Sequence, residues 1–130
     1  MKNKNIKILL VDDEPDIHEL VSYNLKNEGY SVYTAKDGKE AVKAAKSIVP
    51  HLILLDIMMP EMNGFEITIE IRKHEKATGV ENPVPIIALT ANTLDNDKNR
   101  CIEVGMNEYL SKPFTSNQLV AKIEKFIQPV

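Results

Sequence analysis

The stretch HLILLDIMMP, His51 to Pro60, ends an aliphatic run on the carboxylate of Asp56. The run itself, Leu52–Leu55, is short and continuously apolar, which is typical of a buried strand. A charge at the end of such a strand is costly unless a partner compensates it. A second aliphatic run, IKILLVDD, ends on Asp12 and Asp13. Two strands that carry acids at the same end predict one shared site.

The composition indicates one globular domain, which we expect to span residues 1–130. The chain is 43% hydrophobic and 27% charged, and it shows neither a linker nor an internal repeat. Its net charge is −3 and its basic residues are scattered, which argues against direct contact with nucleic acid. A single cysteine, Cys101, excludes an internal disulfide. The apolar run Ile6–Val11 is too short for a signal peptide or a membrane span, so we expect a cytoplasmic protein without membrane insertion.

Apolar strand patterns alternate with helical patterns along the chain. The strands are continuously apolar, as in a parallel sheet that helices cover on both faces. Five of them in 130 residues predict an α/β fold, a flavodoxin-like doubly wound five-stranded parallel sheet of order 2-1-3-4-5 with five helices. Ser116 is the expected N-cap of the last helix, and residues 74–85 are expected to form a polar loop. The predicted strands are 6–11, 30–35, 51–56, 84–91 and 107–113.

The segment FEITIEIR, residues 65–72, has a period that conflicts with this scheme. Its apolar residues alternate strictly, which is a strand pattern, and isoleucine also favours strands. A parallel neighbour of the third strand needs a crossover of about a dozen residues. Only the short stretch IMMPEMNG precedes the segment. We therefore interpret it as a helix, with Phe65 and Ile69 facing inward.

The predicted fold brings the acids of two strands together. In a doubly wound sheet, ligands bind beyond the carboxyl ends of the strands, where the strand order reverses. Here this point lies between strands one and three, which end at Asp12, Asp13 and Asp56. Packed carboxylates raise one another's pKa, and a hard cation with oxygen ligands relieves the repulsion. A few carboxylates, a backbone carbonyl and water molecules would suit Mg²⁺.

Two further strand ends point to an anion. Strand four ends at Thr90, a hydroxyl, and strand five ends at Lys112, an ammonium. A carboxylate, a metal ion, a hydroxyl and an ammonium together suit a phosphoryl group. Asp56 would then be the nucleophile that forms an acyl phosphate. Taken singly, each of these side chains is more often a cap, a turn residue or a surface residue, so the prediction depends on their joint arrangement.

The motifs LLVDDEP, LILLDIMMPEMNGFE, PIIALTAN and YLSKPF follow one another along the chain. Together they resemble the receiver domain of two-component response regulators, of the chemotaxis-regulator type, and the second half is similar to the receivers of hybrid histidine kinases. The resemblance implies a signalling switch that catalyses only its own phosphorylation and dephosphorylation, rather than an enzyme with a turnover substrate. The phosphoryl donor would be a phosphohistidine on a histidine kinase or a histidine phosphotransfer protein. The switch would control a partner protein or a fused output domain.

The resemblance also implies a role for each acid. Asp56 would be the phosphoacceptor. Asp13, Asp56 and the backbone carbonyl of Met58 would bind Mg²⁺, with Mn²⁺ as an alternative ion. Asp12 would act on the metal through a water molecule.

The remaining motif residues would contact the phosphoryl group or respond to it. Lys112, Thr90 and Ala91 would form the phosphoryl-binding set, with a cis peptide bond before Pro113. Thr90 and Tyr109 would be the switch pair, in which the hydroxyl moves toward the phosphate and the aromatic ring turns inward.

Three alternative functions have different requirements. A phosphatase of the haloacid-dehalogenase type needs a second acid two residues after the nucleophile, where this chain has Met58. A flavin-binding module needs a Ser/Thr/Gly-rich phosphate loop after strand one, where this chain has DDEP. An interaction domain with an inert pocket stays open, and so does the choice between a stand-alone regulator and a domain of a longer protein.

Overall fold

The computed structural model describes residues 5–59, 61–90 and 95–127, with only the backbone for 95–97. No helix in these ranges is long and apolar enough to cross a membrane. Strands and helices alternate along the described chain. The strands are β1 (Lys7–Val11), β2 (Ser31–Ala35), β3 (Leu52–Asp56), β4 (Ile86–Thr90) and β5 (Glu108–Ser111), and the helices are α1 (Pro15–Asn27), α2 (Gly38–Ile48), α3 (Gly64–Thr78), α4 (Asp95–Val104) and α5 (Ser116–Glu124).

The five strands form one parallel sheet in the order β2-β1-β3-β4-β5, which confirms the predicted topology. Its two faces bury separate apolar clusters. One cluster packs the sheet against α2, α3 and α4, and the other packs it against α1 and α5. Every residue of β3 and of β4 is buried. Because burial of one Leu or Ile side chain stabilises the fold by about 1.5–3 kcal/mol, these central strands form a rigid support for the groups at their ends.

The segment 65–72 is helical, as predicted, but the predicted inward face is partly wrong. Phe65 is buried, whereas Ile69 is 39% exposed. The other buried residues of the segment are Ile67, Thr68 and Ile71, and Ile71 lies four positions after Ile67 and three after Thr68, on one side of α3. Three of the four alternating apolar residues are therefore buried although the segment is a helix, and only the inward position expected for Ile69 is wrong.

The ends of two helices also differ from expectation. The N-cap of α5 is Thr115 rather than Ser116, because the Thr115 side chain accepts the N–H of Gln118 and the Gln118 side chain accepts that of Thr115. This reciprocal pair is a capping box. The loop expected over residues 74–85 is shorter, since α3 continues to Thr78.

A guanidinium fixes the turn that leads into β5. Arg72 of α3 donates to the carbonyl oxygen of Gly105 at 3.0 and 2.8 Å and to Asn107 Oδ1 at 3.0 Å. It also pairs with the buried Glu75 at 2.7 Å, and Asn107 Oδ1 accepts the N–H of Ile86 at 2.9 Å. The start of β5 is therefore tied to both α3 and β4, which sets the register of the residues that follow.

Glu108 ties β5 to α5. Its carboxylate lies 2.6 Å from Lys125 Nζ and 3.3 Å from Lys122 Nζ. Burial by itself would raise the pKa of Glu108, but the hydrogen bonds from Lys125 and the Tyr109 N–H, together with Lys122, outweigh it. The pKa of Glu108 is therefore lower in the folded protein than its usual value.

We expect Glu108→Gln to lower the free energy of unfolding by about 0.5–1 kcal/mol at neutral pH, since both lysines are partly exposed. A lowered folded-state pKa gives stability that is complete above the unfolded-state pKa and is lost as the pH falls through the folded-state pKa. Urea unfolding of the variant and the wild type should therefore converge at acid pH. Glu103→Gln, at an exposed position of α4, is the control, and an equal loss at both pH values would contradict the account.

Candidate phosphoryl and metal site

Carboxylates from two neighbouring strands converge at one edge of the sheet. Asp12, Asp13, Glu14 and Asp56 each place one carboxylate oxygen within 4.8 Å of the others. The strand register causes this convergence, because the last residue of β1 pairs with the residue before Asp56. Asp12 and Asp56 are 0% and 2% exposed, whereas Asp13 and Glu14 are open to solvent. The predicted convergence of the three aspartates is confirmed, and Glu14 is an addition to it.

One ammonium lies among these acids. Lys112 Nζ donates to Asp12 Oδ2 at 3.0 Å and to Glu14 Oε1 at 3.1 Å, and it lies 3.6 Å from Asp56 Oδ2. Its backbone N–H donates to the carbonyl oxygen of Thr90 at 2.7 Å, and its bond to Pro113 is cis, as expected. Lys112 therefore reaches the acids from β5, across the end of β4.

Burial controls the ionisation of the central pair. Burial raises the pKa of Asp56, and the negative charges of Asp12 and Asp13 raise it further. The N–H of Met58 and the charge of Lys112 act in the opposite direction without cancelling the effect. Burial would lower the pKa of Lys112, but its bonds to Asp12 and Glu14 and the charge of Asp56 raise it overall. Lys112 thus stays charged, while ionised Asp56 still lacks full compensation.

The loop between β3 and α3 holds Asp56 by its backbone. Asp56 Oδ1 accepts the N–H of Met58 at 2.9 Å, while the Met58 side chain is 68% exposed. A Cβ at Gly64 would lie 2.7 Å from Ile57 Cα and 2.8 Å from the Asp56 carbonyl oxygen. Only glycine therefore lets the first turn of α3 approach the backbone of Asp56 so closely.

The predicted switch residues lie on the two strands beyond β3: Thr90 is the last residue of β4, and Tyr109 is in β5. Thr90 is 2% exposed and pairs with Ser111 across the two strands. The half-buried ring of Tyr109 has Lys98 Nζ at 4.8 Å and Lys122 Nζ at 5.6 Å from its centroid. Ala91, the third residue of the predicted phosphoryl-binding set, lies outside the described residues.

Two residues at the site were given no role by the sequence. Glu14 donates its backbone N–H to Asp12 Oδ1 at 2.8 Å and accepts the Lys112 ammonium. The ring of His18, one turn into α1, donates to the carbonyl oxygen of Asp12. A third acid directly after two others was the available signal for Glu14. No spacing signal pointed to His18, because its contact is with the backbone.

The donor set fits a hard divalent cation. The three aspartates offer oxygen, and the two buried ones, Asp12 and Asp56, cannot turn away from one another. Such a cation would offset the uncompensated charge at Asp56, and the exposed acids leave room for bound water. Mg²⁺ prefers this combination of few carboxylates and several waters.

We expect Gly64→Ala to lower the free energy of unfolding by about 1–3 kcal/mol, because the added methyl group meets backbone atoms that cannot yield freely. The displaced strand end should also move the amide signal of Met58 in an NMR spectrum. Gly79→Ala is the control, since its φ of 71° is strained for alanine but nothing lies within 4 Å of the added atom. An unmoved Met58 amide in Gly64→Ala would contradict the close approach.

The chain is similar to known signalling proteins along almost all of its length. Residues 8–124 match the family model of the response regulator receiver domain. The alkaline phosphatase synthesis transcriptional regulatory protein PhoP of Bacillus subtilis (strain 168) is 39% identical over 124 residues, which cover 95% of this chain and 49% of PhoP. The chain thus spans about half the length of that curated relative.

Two solved structures are similar to this fold. The receiver domain of the sensor histidine kinase PA1611 from Pseudomonas aeruginosa PAO1, with a magnesium ion coordinated in its active-site cleft, is 38% identical with a TM-score of 0.80, covering 93% of this chain and 96% of its own. A chain in the co-crystal structure of the Saccharomyces cerevisiae histidine phosphotransfer protein Ypd1 with the receiver domain of Ssk1 is 33% identical with a TM-score of 0.89, covering 95% of this chain and 90% of its own.

The family match, the relative and the sheet order agree, and the chain belongs to the receiver domain family of response regulators.

Proposed function

We propose that the chain is a phosphorylation switch in which Asp56 accepts a phosphoryl group from a phosphohistidine. One observation carries this proposal. Asp56 is 2% exposed at the end of a fully buried strand, within 4.8 Å of oxygens from three other acids and 3.6 Å from the Lys112 ammonium. Such a buried, incompletely compensated carboxylate beside a cation suits an in-line attack on a phosphoryl group.

The transfer exchanges one bond to phosphorus for another. A carboxylate oxygen of Asp56 attacks the phosphorus, the N–P bond of the phosphohistidine breaks, and the imidazole nitrogen keeps the electron pair. The product is an acyl phosphate on Asp56. Lys112 supplies positive charge to the transferred oxygens, and Thr90 and Ala91 complete the contacts to them.

The acids would hold a divalent metal ion. We assign Asp13, Asp56 and the backbone carbonyl of Met58 as ligands and Asp12 as a residue that acts through water, for Mg²⁺ or Mn²⁺. The bound metal would neutralise charge on the phosphoryl oxygens. The magnesium ion in the cleft of the PA1611 receiver supports a Mg²⁺ site here.

Phosphorylation would be read out on the side of the fold formed by β4, α4, β5 and α5. Thr90 and Tyr109 form the proposed switch pair. The Lys112 N–H donates to the Thr90 carbonyl oxygen, and the Tyr109 ring is contacted by Lys98 of α4 and Lys122 of α5. Phosphorylation of Asp56 would thus change the position of the Tyr109 ring through Lys112 and Thr90.

The partners would be a histidine kinase or a histidine phosphotransfer protein on one side and an output domain or protein on the other. The complex of Ypd1 with the Ssk1 receiver supports the first partner class. The greater length of PhoP, a transcriptional regulatory protein, supports a fused output domain. In this proposal the receiver has no turnover substrate and makes no direct contact with nucleic acid.

Intact-mass measurement after incubation with acetyl phosphate and Mg²⁺ tests the assignment of Asp56. We expect one phosphoryl adduct on the wild type and none on Asp56→Asn, or without Mg²⁺, because the nucleophile or the neutralising charge is then missing. Asp37→Asn is the matched control, since Asn caps α2 as well as Asp does, and it should still be phosphorylated.

A short-lived acyl phosphate could escape this measurement, so beryllofluoride with Mg²⁺, a stable phosphoryl mimic, is titrated in parallel. Binding by the wild type and by Asp37→Asn, but not by Asp56→Asn, is the expected result. A wild type that forms no adduct and binds no beryllofluoride would contradict the proposed function and leave the interaction-domain alternative.

A further inference from the structure

The Lys112 ammonium contacts three carboxylates at unequal distances. It makes short hydrogen bonds to Asp12 and Glu14, at 3.0 and 3.1 Å, and keeps a longer ion-pair distance of 3.6 Å to Asp56. An ammonium has three protons to donate and no lone pair to accept with. Asp12 takes one of these donors, and the bond to Glu14 takes one of the two that would otherwise be available to a group on Asp56.

The two acids that accept hydrogen bonds from Lys112 differ in how easily their side chains can move away from it. Asp12 is 0% exposed, and its Oδ1 accepts the N–H of Glu14 at 2.8 Å. The carboxylate of Asp12 is therefore fixed. The Glu14 side chain is 57% exposed and can turn into solvent. Ion pairs with an exposed partner contribute little to stability. Glu14 is thus the partner that Lys112 can lose at least cost.

We propose that Glu14 is a releasable counter-ion, which holds Lys112 while Asp56 is unmodified and competes with phosphoryl oxygens for the same ammonium. This inference rests on the proposed function of Asp56 and deepens it. Glu14 is a positioning residue, because it acts on the phosphoryl site only through its ion pair with Lys112. Its strength as a competitor sets how tightly the site holds a phosphoryl group.

Titration of the full chain with beryllofluoride at saturating Mg²⁺, followed by NMR amide signals, measures this competition. We expect Glu14→Gln to lower the half-saturating concentration about two- to fivefold, the range that loss of an exposed ion pair allows. Glu19→Gln, at an exposed position of α1, is the control and should match the wild type. An unchanged half-saturation in Glu14→Gln would overturn the proposal.

Glu14→Asp separates the contact from the charge alone. Its carboxylate is one methylene shorter, so it keeps the negative charge but not the reach to Lys112. We expect it to show most of the gain seen in Glu14→Gln. Wild-type behaviour of Glu14→Asp, combined with a gain in Glu14→Gln, would show that long-range repulsion acts instead and would overturn the proposal.

A Mg²⁺ titration without beryllofluoride tests the competing role of Glu14 as a metal ligand. The proposal requires both Glu14 variants to bind Mg²⁺ within a few-fold of the wild type. A loss of tenfold or more in both variants would assign Glu14 to the metal instead and overturn the proposal.

Failure of the proposed function gives a different result. If the wild type binds no beryllofluoride, the proposed role of Asp56 is wrong. The NMR signal of the Lys112 side-chain ammonium then tests separately whether Glu14 holds Lys112. That signal, protected from solvent exchange by the ion pair, should weaken in both Glu14 variants and persist in Glu19→Gln. An unchanged signal in the variants would show that Glu14 does not hold Lys112.

Discussion

The repulsion between two buried carboxylates, Asp12 and Asp56, is the constraint on which the site depends. They lie at the ends of neighbouring central strands, and burial raises the pKa of Asp56 because neither group can turn to water. Their compensation comes from Lys112, which lies 100 positions after Asp12 in the chain. Only a complete sheet, with β5 in register beside β4, brings that ammonium to them. The electrostatic balance of the site therefore depends on the complete fold.

This dependence explains why the fold and most of the site residues could be predicted from the sequence. Continuously apolar strands fixed a parallel sheet, and the order 2-1-3-4-5 then placed the acids of β1 and β3 side by side. Once the order was known, the ends of β4 and β5 had to lie at the same edge, so Thr90 and Lys112 followed. Each step used the strand pattern, which depends on burial along the whole strand rather than on any single residue.

Features that depend on one side chain were less predictable. The position of Ile69 on the exposed side of α3, and the choice of Thr115 over Ser116 as N-cap, differ from expectation. In both cases neighbouring residues have the same chemistry, and a shift of one or two positions changes the outcome. Glu14 and His18 were missed because their contacts, to an ammonium and to a backbone carbonyl, depend on where α1 begins relative to β1.

The buried acids and the exposed acids of the site have different physical roles. Asp12 and Asp56 cannot move without disturbing the central strands, so they give the site a fixed geometry. Lys112 can redistribute its bonds, and its partner Glu14 can turn into solvent. Lys112 also shares a backbone hydrogen bond with Thr90 and lies three positions after Tyr109. A change in the bonds of this one ammonium would therefore act directly on the two strands that carry the proposed switch residues.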